Sequence, residues 1–339
     1  MKKSILALAA LATLAAAGAA SAQSSVTVYG RLDASVGSER IDGTSTTRLF
    51  SGNLTTSRLG FRGTEDLGGG LKANFQLEGQ LNVDEGTGRA TGGGLNFARA
   101  SWVGLSGGFG AVRLGLTDSP YKDIYDMGVS NNLFDSEFTP TKIAYLSGDV
   151  GTASGVSDYS SRLSNMIRYD TPRFGGFSAS LGYSLDENPA NSSDTTALNL
   201  RYRAGKLDVG VAFQNQANNT LALDRDFTVL SASYDFGVAA VSGQYQITDQ
   251  ANGLEDRDYA IGVNFPLGKF NLSAGYAKGK SELNGLSSGD GKAFAIGATY
   301  TMSKRTRLYA GLLDGDVDNG SGAQARERRL YAVGIRHDF

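Results

Sequence analysis

The stretch SRLGFRGTEDLGGGLKANFQLEGQL, Ser57 to Leu81, alternates strictly, turns on glycines, and alternates strictly again. One face carries Leu59, Phe61, Leu71, Ala73, Phe75, Leu77 and Leu81; the other carries Arg58, Arg62, Lys72, Asn74, Gln76, Glu78 and Gln80. Successive side chains of a strand point to opposite faces, so this is a hairpin with one apolar and one charged face. The same period recurs almost to the last residue. Val26, Val28, Leu32 and Val36 oppose Thr27, Tyr29, Arg31 and Asp33, and Tyr331, Val333, Ile335 and Phe339 oppose Ala332, Gly334, Arg336 and Asp338. No helical period longer than two turns competes with it. Such a chain makes a sheet, and the sheet must find a partner for a continuous apolar face.

The strands are joined by two kinds of connection that take turns. Short ones lie around Gly68-Gly69, Gly107-Gly108, Gly175-Gly176, Gly205, Gly237, Pro266-Leu267-Gly268 and Ser303-Lys304; long ones, such as ELNGLSSGDGK (282–292), are rich in Gly, Ser, Asn and Asp. Seven tight turns join fourteen strands, and the two chain ends add one each, which gives 16. All five prolines fall in connections, as a sheet requires. The fold expected is all-β: a 16-stranded antiparallel barrel with tight turns at one rim and long loops at the other.

The chain opens MKKSILALAALATLAAAGAASAQSS, with Lys2 and Lys3 ahead of an apolar run and Ala20-Ser21-Ala22 as a small-residue cleavage site. That is a secretory leader, residues 1–22, rather than a membrane anchor, because the run is short and ends in the cleavage pattern. Residues 23–339 then form a single barrel domain, since no linker divides them. Without the leader there are 30 Lys and Arg against 34 Asp and Glu, a net charge near −4, which argues against a nucleic-acid partner. There is no cysteine, so an exported chain must be held by something other than disulfides. Mean hydropathy is −0.22, which reads as soluble only if alternation is ignored.

Three features place the apolar face outside. Aromatics stand at strand ends near the tight turns (Tyr169, Tyr202, Tyr234, Phe236, Phe265, Tyr300 and Phe339), as a membrane-interface girdle does. The opposite faces are small as well as polar, which a water-filled lumen tolerates because its wall need not pack. The last strand alternates up to Phe339, so first and last strands can pair and remove the edges that lipid does not tolerate.

With the segments SSVTVYGRLDASVG, SRLGFRGTEDLGGGLKANFQLEGQ, ARASWVGLSGGFGAVRLG and the terminal YAVGIRHDF, the chain resembles the Gram-negative general porins, in the branch typical of β-proteobacteria, over essentially all of residues 23–339. The resemblance implies a homotrimeric 16-stranded barrel in the outer membrane and passive diffusion of ions and small hydrophilic solutes, with no cofactor. It implies contact with outer-membrane lipid and lipopolysaccharide, and a third loop folded into the lumen. Phe339 is then the signal read by the barrel-assembly machinery. The large gap between tight turns fits that loop, residues 118–162, which carries Asp118, Asp123, Asp126, Asp135 and Glu137.

By parity the charged inner face includes Arg31, Arg58, Arg62 and Arg99 on the first four strands, with Arg162 and Arg168 on the sixth. The resemblance assigns Arg31, Arg58, Arg62, Arg99 and Arg162 to a basic wall, and the expectation is that the loop acids, Asp135 and Glu137 foremost, stand opposite. Arginines stay ionised, and a narrow low-dielectric wall focuses their field on a passing solute. A basic ring favours anions and an acidic ring cations. The arginines outnumber the preferred acids, so a weak anion preference is expected, although the net charge points the other way.

Other functions fit less well. An outer-membrane enzyme needs a general base, and the single histidine, His337, falls on the lipid-facing parity at the turn rim. Zinc lacks Cys and His ligands, and an oxygen-only calcium site among loop aspartates is left open. A substrate-specific channel for sugars or organic anions is the nearer alternative, but it needs inward aromatics; Tyr29 and Tyr309 have that parity, and most of the others face lipid.

Overall fold

The computed structural model describes residues 25–129, 137–149, 159–185, 194–217 and 224–339. The leader assigned to residues 1–22 lies outside them. Sixteen antiparallel strands close on themselves as a barrel. The first half comprises β1 (Ser25–Ile41), β2 in two segments (Thr44–Ser51 and Arg58–Gly68), β3 (Leu71–Asn82), β4 (Ala100–Gly107), β5 (Gly110–Asp118), β6 (Arg162–Asp170), β7 (Phe177–Ser184) and β8 (Thr195–Ala204). The second half comprises β9 (Leu207–Gln216), β10 (Arg225–Asp235), β11 (Ala240–Gln250), β12 (Leu254–Leu267), β13 (Phe270–Leu283), β14 (Leu286–Thr301), β15 (Thr306–Asn319) and β16 (Gln324–Asp338). Each tight turn read from the sequence joins neighbouring strands.

Closure is made by β1 and β16, paired from Arg31↔Asp338 to Ile41↔Arg328. The pairing runs to the last residue: Gly30 and Phe339 exchange both backbone hydrogen bonds at 3.1 Å. Gly30 is small for a local reason. A Cβ there would stand 2.2 Å from the Phe339 ring, so the absence of a side chain makes room for the terminal aromatic. The space at this lipid-side position is therefore filled from within the chain.

The apolar faces point outward. Val28 and Val333 keep 57% and 62% of their surface exposed, while Asp33, Ser35 and Gln214 on the opposite parity are buried. An exposed apolar belt of this extent suits hydrocarbon, not water. Near the tight turns the rings pair, Phe177 with Tyr202 at 4.6 Å, Tyr234 with Phe236 at 4.6 Å and Phe270 with Tyr300 at 4.7 Å, as an interfacial girdle.

Two departures from the expected pattern shape the lumen. First, β2 breaks at residues 52–57, which turn inward so that Asn53, Leu54, Thr55 and Ser57 are buried. Asp33 holds the break: its carboxylate accepts the Thr55 N–H at 2.9 Å and the Tyr309 hydroxyl at 2.6 Å. Second, the connection between β5 and β6 contains a helix of 10 residues, α1 (Pro120–Val129), and a single turn, α2 (Thr141–Ala144). No helix of that length was expected. Its start is nevertheless marked: Ser119 accepts the Lys122 N–H at 3.2 Å with its hydroxyl, and Pro120 occupies the first helical position.

Filling the space at Gly30 tests the closure. Gly30→Leu must displace the Phe339 ring, and overpacking of this kind costs about 1–3 kcal/mol. The expected outcome is a lower urea midpoint in detergent and a larger fraction of unfolded chain on unheated gels.

Candidate functional site

The third loop lies inside the barrel. α1 rests on the inner face of β8–β12, and α2 with the 3₁₀ turn Tyr145–Asp149 rests on β12–β15. Tyr121, Ile124 and Phe138 are wholly buried, and burial on that scale contributes about 1.5–3 kcal/mol per side chain. The wall beneath is small because the loop occupies its space. A Cβ at Gly291 would stand 2.0 Å from the Ala144 carbonyl oxygen, and one at Gly279 2.4 Å from the same atom. The expectation of an inner wall that need not pack is thus corrected: on β8–β15 the small residues are a packing surface. Polar contacts fix the orientation. Tyr121 donates to Gln246 at 2.9 Å, Gln244 to the Tyr145 hydroxyl at 3.0 Å, and Asn199 to the Pro120 carbonyl at 2.7 Å.

The loop acids are engaged by cations on or beside the loop itself. Asp118 pairs with Arg162 at 3.0 Å, Asp126 with Lys122, and Asp123 with the buried Arg168. Glu137 lies 2.6 Å from Lys142 and 2.6 Å from Arg328 of β16. Burial pushes the Asp123 carboxyl up more than Arg168 holds it down. Burial also pushes Glu137 up, but Lys142 and Arg328 outweigh it and bring its pKa from 4.5 to about 2. Glu137 further donates its backbone N–H to the Asn53 carbonyl at 3.1 Å, so the loop tip and the inward break of β2 are tied together. Asp135 lies outside the described residues.

The wall that the described loop residues leave uncovered belongs to β1–β6 and β16. Arg31 and Arg336 share Asp338, at 2.5 and 3.0 Å, and Arg336 also donates to the Thr55 hydroxyl at 3.1 Å. Arg58 and Arg99 share Glu78, at 3.5 and 2.8 Å. Arg113 lies 3.1 Å from Asp170, which also serves Arg168 at 2.8 Å. Arg62 lies over the Tyr29 ring at 5.0 Å and, among the described residues, has no carboxylate within salt-bridge reach. Five of these six arginines therefore share three carboxylates, one of which also serves Arg168, and Arg62 has none among the described residues.

Arg31, Arg58 and Arg62 stand on the inner face as parity requires. Arg99 does not follow parity: Val103 and Leu105 of the same strand are exposed on the lipid side. It reaches Glu78 because it precedes β4, where the alternation has not begun. Arg162 is removed from the wall by its pair with Asp118 at the neck of the loop. None of the described loop acids forms a salt bridge with Arg31, Arg58, Arg62 or Arg99. The Asp118–Arg162 pair follows from register, since the two residues face each other where β5 ends and β6 begins. Sequence reasoning missed Glu78, Arg113 and Arg336 as members of the wall, although all three have the inward parity, and the break of β2, whose signal was a lost alternation in SGNLTTS.

A family profile described as Gram-negative porin matches residues 7–320. The chain is 38% identical, over all of both chains, to outer membrane porin protein 32 of Delftia acidovorans, and 31% identical, again over all of both, to major outer membrane protein P.IB of Neisseria gonorrhoeae. Among solved structures it resembles an anion-selective porin from Comamonas acidovorans, with a TM-score of 0.79 and 33% identity over 94% of this chain and 100% of that one. The trimer form of OmpT from Vibrio cholerae shares the fold, with a TM-score of 0.70 and 18% identity over 93% of this chain and 99% of that one.

Two measurements check the loop's attachment. Arg168→Ala leaves the half-buried Asp123 without its cation, while Asp170 keeps Arg113, and an unsatisfied group of that kind costs about 1–3 kcal/mol. Protease cleavage between residues 119 and 161 of the folded barrel should rise. Glu137 has a folded pKa below its unfolded one, so its contribution is complete above pH 4.5 and is lost as pH falls through about 2. Loop protection in the native protein should decline between those values, and Glu137→Gln should abolish that acid-dependent segment.

Proposed function

The chain belongs to the Gram-negative porin family, and from that premise we propose that its constriction selects weakly for anions through the uncovered arginine wall. The protein is an outer-membrane channel for passive diffusion, not an enzyme. The observation that carries the anion preference is the mismatch of six arginines (Arg31, Arg58, Arg62, Arg99, Arg113 and Arg336) to three carboxylates, while the loop acids are engaged elsewhere. Guanidinium groups remain charged throughout the working pH range, and a narrow low-dielectric passage magnifies their field. The residues 118–162 act as the constriction loop. Asp118, Asp123, Asp126 and Glu137 hold it in place, a different use from the opposed acidic rim expected of them. The likeness to an anion-selective porin supports this reading.

The assembled form is a homotrimer in contact with lipid and lipopolysaccharide, with Phe339 as the assembly signal after removal of residues 1–22. The trimer form described for the Vibrio cholerae protein and the Gly30–Phe339 closure support these assignments. Small hydrophilic solutes and ions are the cargo.

Reversal potential in a planar bilayer under a KCl gradient tests the selectivity. The native channel should give ohmic steps with a potential of chloride sign. Arg31→Glu with Arg58→Glu should move that potential toward potassium. A native channel already selective for potassium would overturn the assignment.

A further inference from the structure

We propose that the lumen wall carries, on the tight-turn side of the constriction, a subsite for small aromatic carboxylates built by Arg62, Trp102 and Arg113. The proposal rests on the porin reading and adds a solute class to it. A cavity of about 380 Å³ opens on the inner face of β1–β5, lined among others by Arg62, Asn74, Gln76, Trp102 and Arg113. That volume lies within the range of small-molecule sites, roughly 300–1,000 Å³. The lining is contiguous by register: Arg62 faces Gln76, Gln76 faces Trp102, and Arg113 faces Gly104, the next inward position after Trp102. Arg62 is four residues along β2 from Arg58, about 13 Å at the rise of a strand, so this cavity is separate from the Arg31–Arg58 pair.

Both guanidinium groups are held on aromatic faces, Arg62 at 5.0 Å over Tyr29 and Arg113 at 5.3 Å over Trp102. Tyr29 is itself immobilised. Its ring covers Gly60, where a Cβ would stand 2.4 Å away, and its hydroxyl donates to Glu78 at 2.9 Å and accepts from Gln76 at 2.7 Å. Stacking fixes the plane of each guanidinium; the N–H edge of Arg62 is left for the paired oxygens of a carboxylate, whereas that of Arg113 is shared with Asp170 at 3.1 Å. The charge is incompletely answered, since Arg62 has no carboxylate partner among the described residues and Asp170 is divided between Arg113 and Arg168. A simple inorganic anion needs only charge, which the Arg31–Arg58 wall already offers. The added tryptophan and tyrosine surface favours a solute with a planar apolar body behind its carboxylate.

Trp102 is the single tryptophan of the chain, so intrinsic fluorescence reads this cavity without labelling. Native protein in detergent is titrated with benzoate at constant ionic strength, with acetate and benzyl alcohol as controls and excitation at the red edge of the indole band. Benzoate should produce a saturable change and the controls none. Arg62→Gln should raise the half-saturation concentration roughly tenfold, the loss of one charge-assisted hydrogen-bonded pair. Arg62→Lys, which keeps the charge and loses the fork, should fall between. A linear, non-saturating response to benzoate overturns the subsite, as does equal affinity in the folded Arg62→Gln protein or saturation by benzyl alcohol. Bilayer conductance of the same preparation separates the two readings: an open ohmic channel without saturation removes the subsite and leaves the porin, whereas saturation in a barrel that does not conduct removes the diffusion reading.

Discussion

In hydrocarbon no water is available to satisfy a backbone N–H or C=O, and an unpaired group costs several kcal/mol. A sheet in that solvent must close, and everything else in this protein follows from how it does so. β1 pairs with β16 over its outer half and with β2 on its other side, and the final hydrogen bonds are made by Gly30 with the terminal residue, Phe339. Once the edges are gone, the apolar parity of every strand is committed to lipid and the polar parity to a lumen. The charged side chains of Arg31, Arg58 and Arg62 are thereby placed on the barrel wall itself.

Closure also creates an interior too wide for side chains alone, and the third loop partly fills it. The inner wall divides accordingly. On β8–β15 it is mainly glycine, alanine and amide, with the buried carboxylates Asp256 and Asp258 on β12, and close enough for loop backbone to lie against it at Gly279 and Gly291. On β1–β6 and β16 it is arginine. The described acids of the loop, Asp118, Asp123, Asp126 and Glu137, are engaged by Lys122, Lys142, Arg162, Arg168 and Arg328. Among the described residues, the ion pairs that hold the loop leave the opposite wall with more arginines than carboxylates.

Aromatic side chains serve three purposes at three depths. At the tight-turn rim they pair as an interfacial belt. Beneath the loop, Tyr121, Phe138 and Tyr309 form the buried contacts between loop and wall. On the open wall, Tyr29 and Trp102 act as platforms for Arg62 and Arg113, restricting guanidinium groups that would otherwise be long and mobile.

The strand period, the seven tight turns and the terminal Phe339 determined by themselves that this chain is a 16-stranded barrel with its apolar face outward, because a period of two assigns faces without knowledge of neighbours. They also placed Arg31, Arg58 and Arg62 in the lumen for the same reason. What only the tertiary structure decided is how charges meet across the chain. Parity says which face a residue occupies, not which partner comes within 3 Å of it. Hence Arg162 meets Asp118 because the β5–β6 register sets them side by side, and Glu137 meets Arg328 through a loop whose path carries no period. Arg99 enters the lumen because it stands just before its strand begins. The break at residues 52–57 and the smallness of Gly279 and Gly291 acquire their meaning only when the loop lies against them.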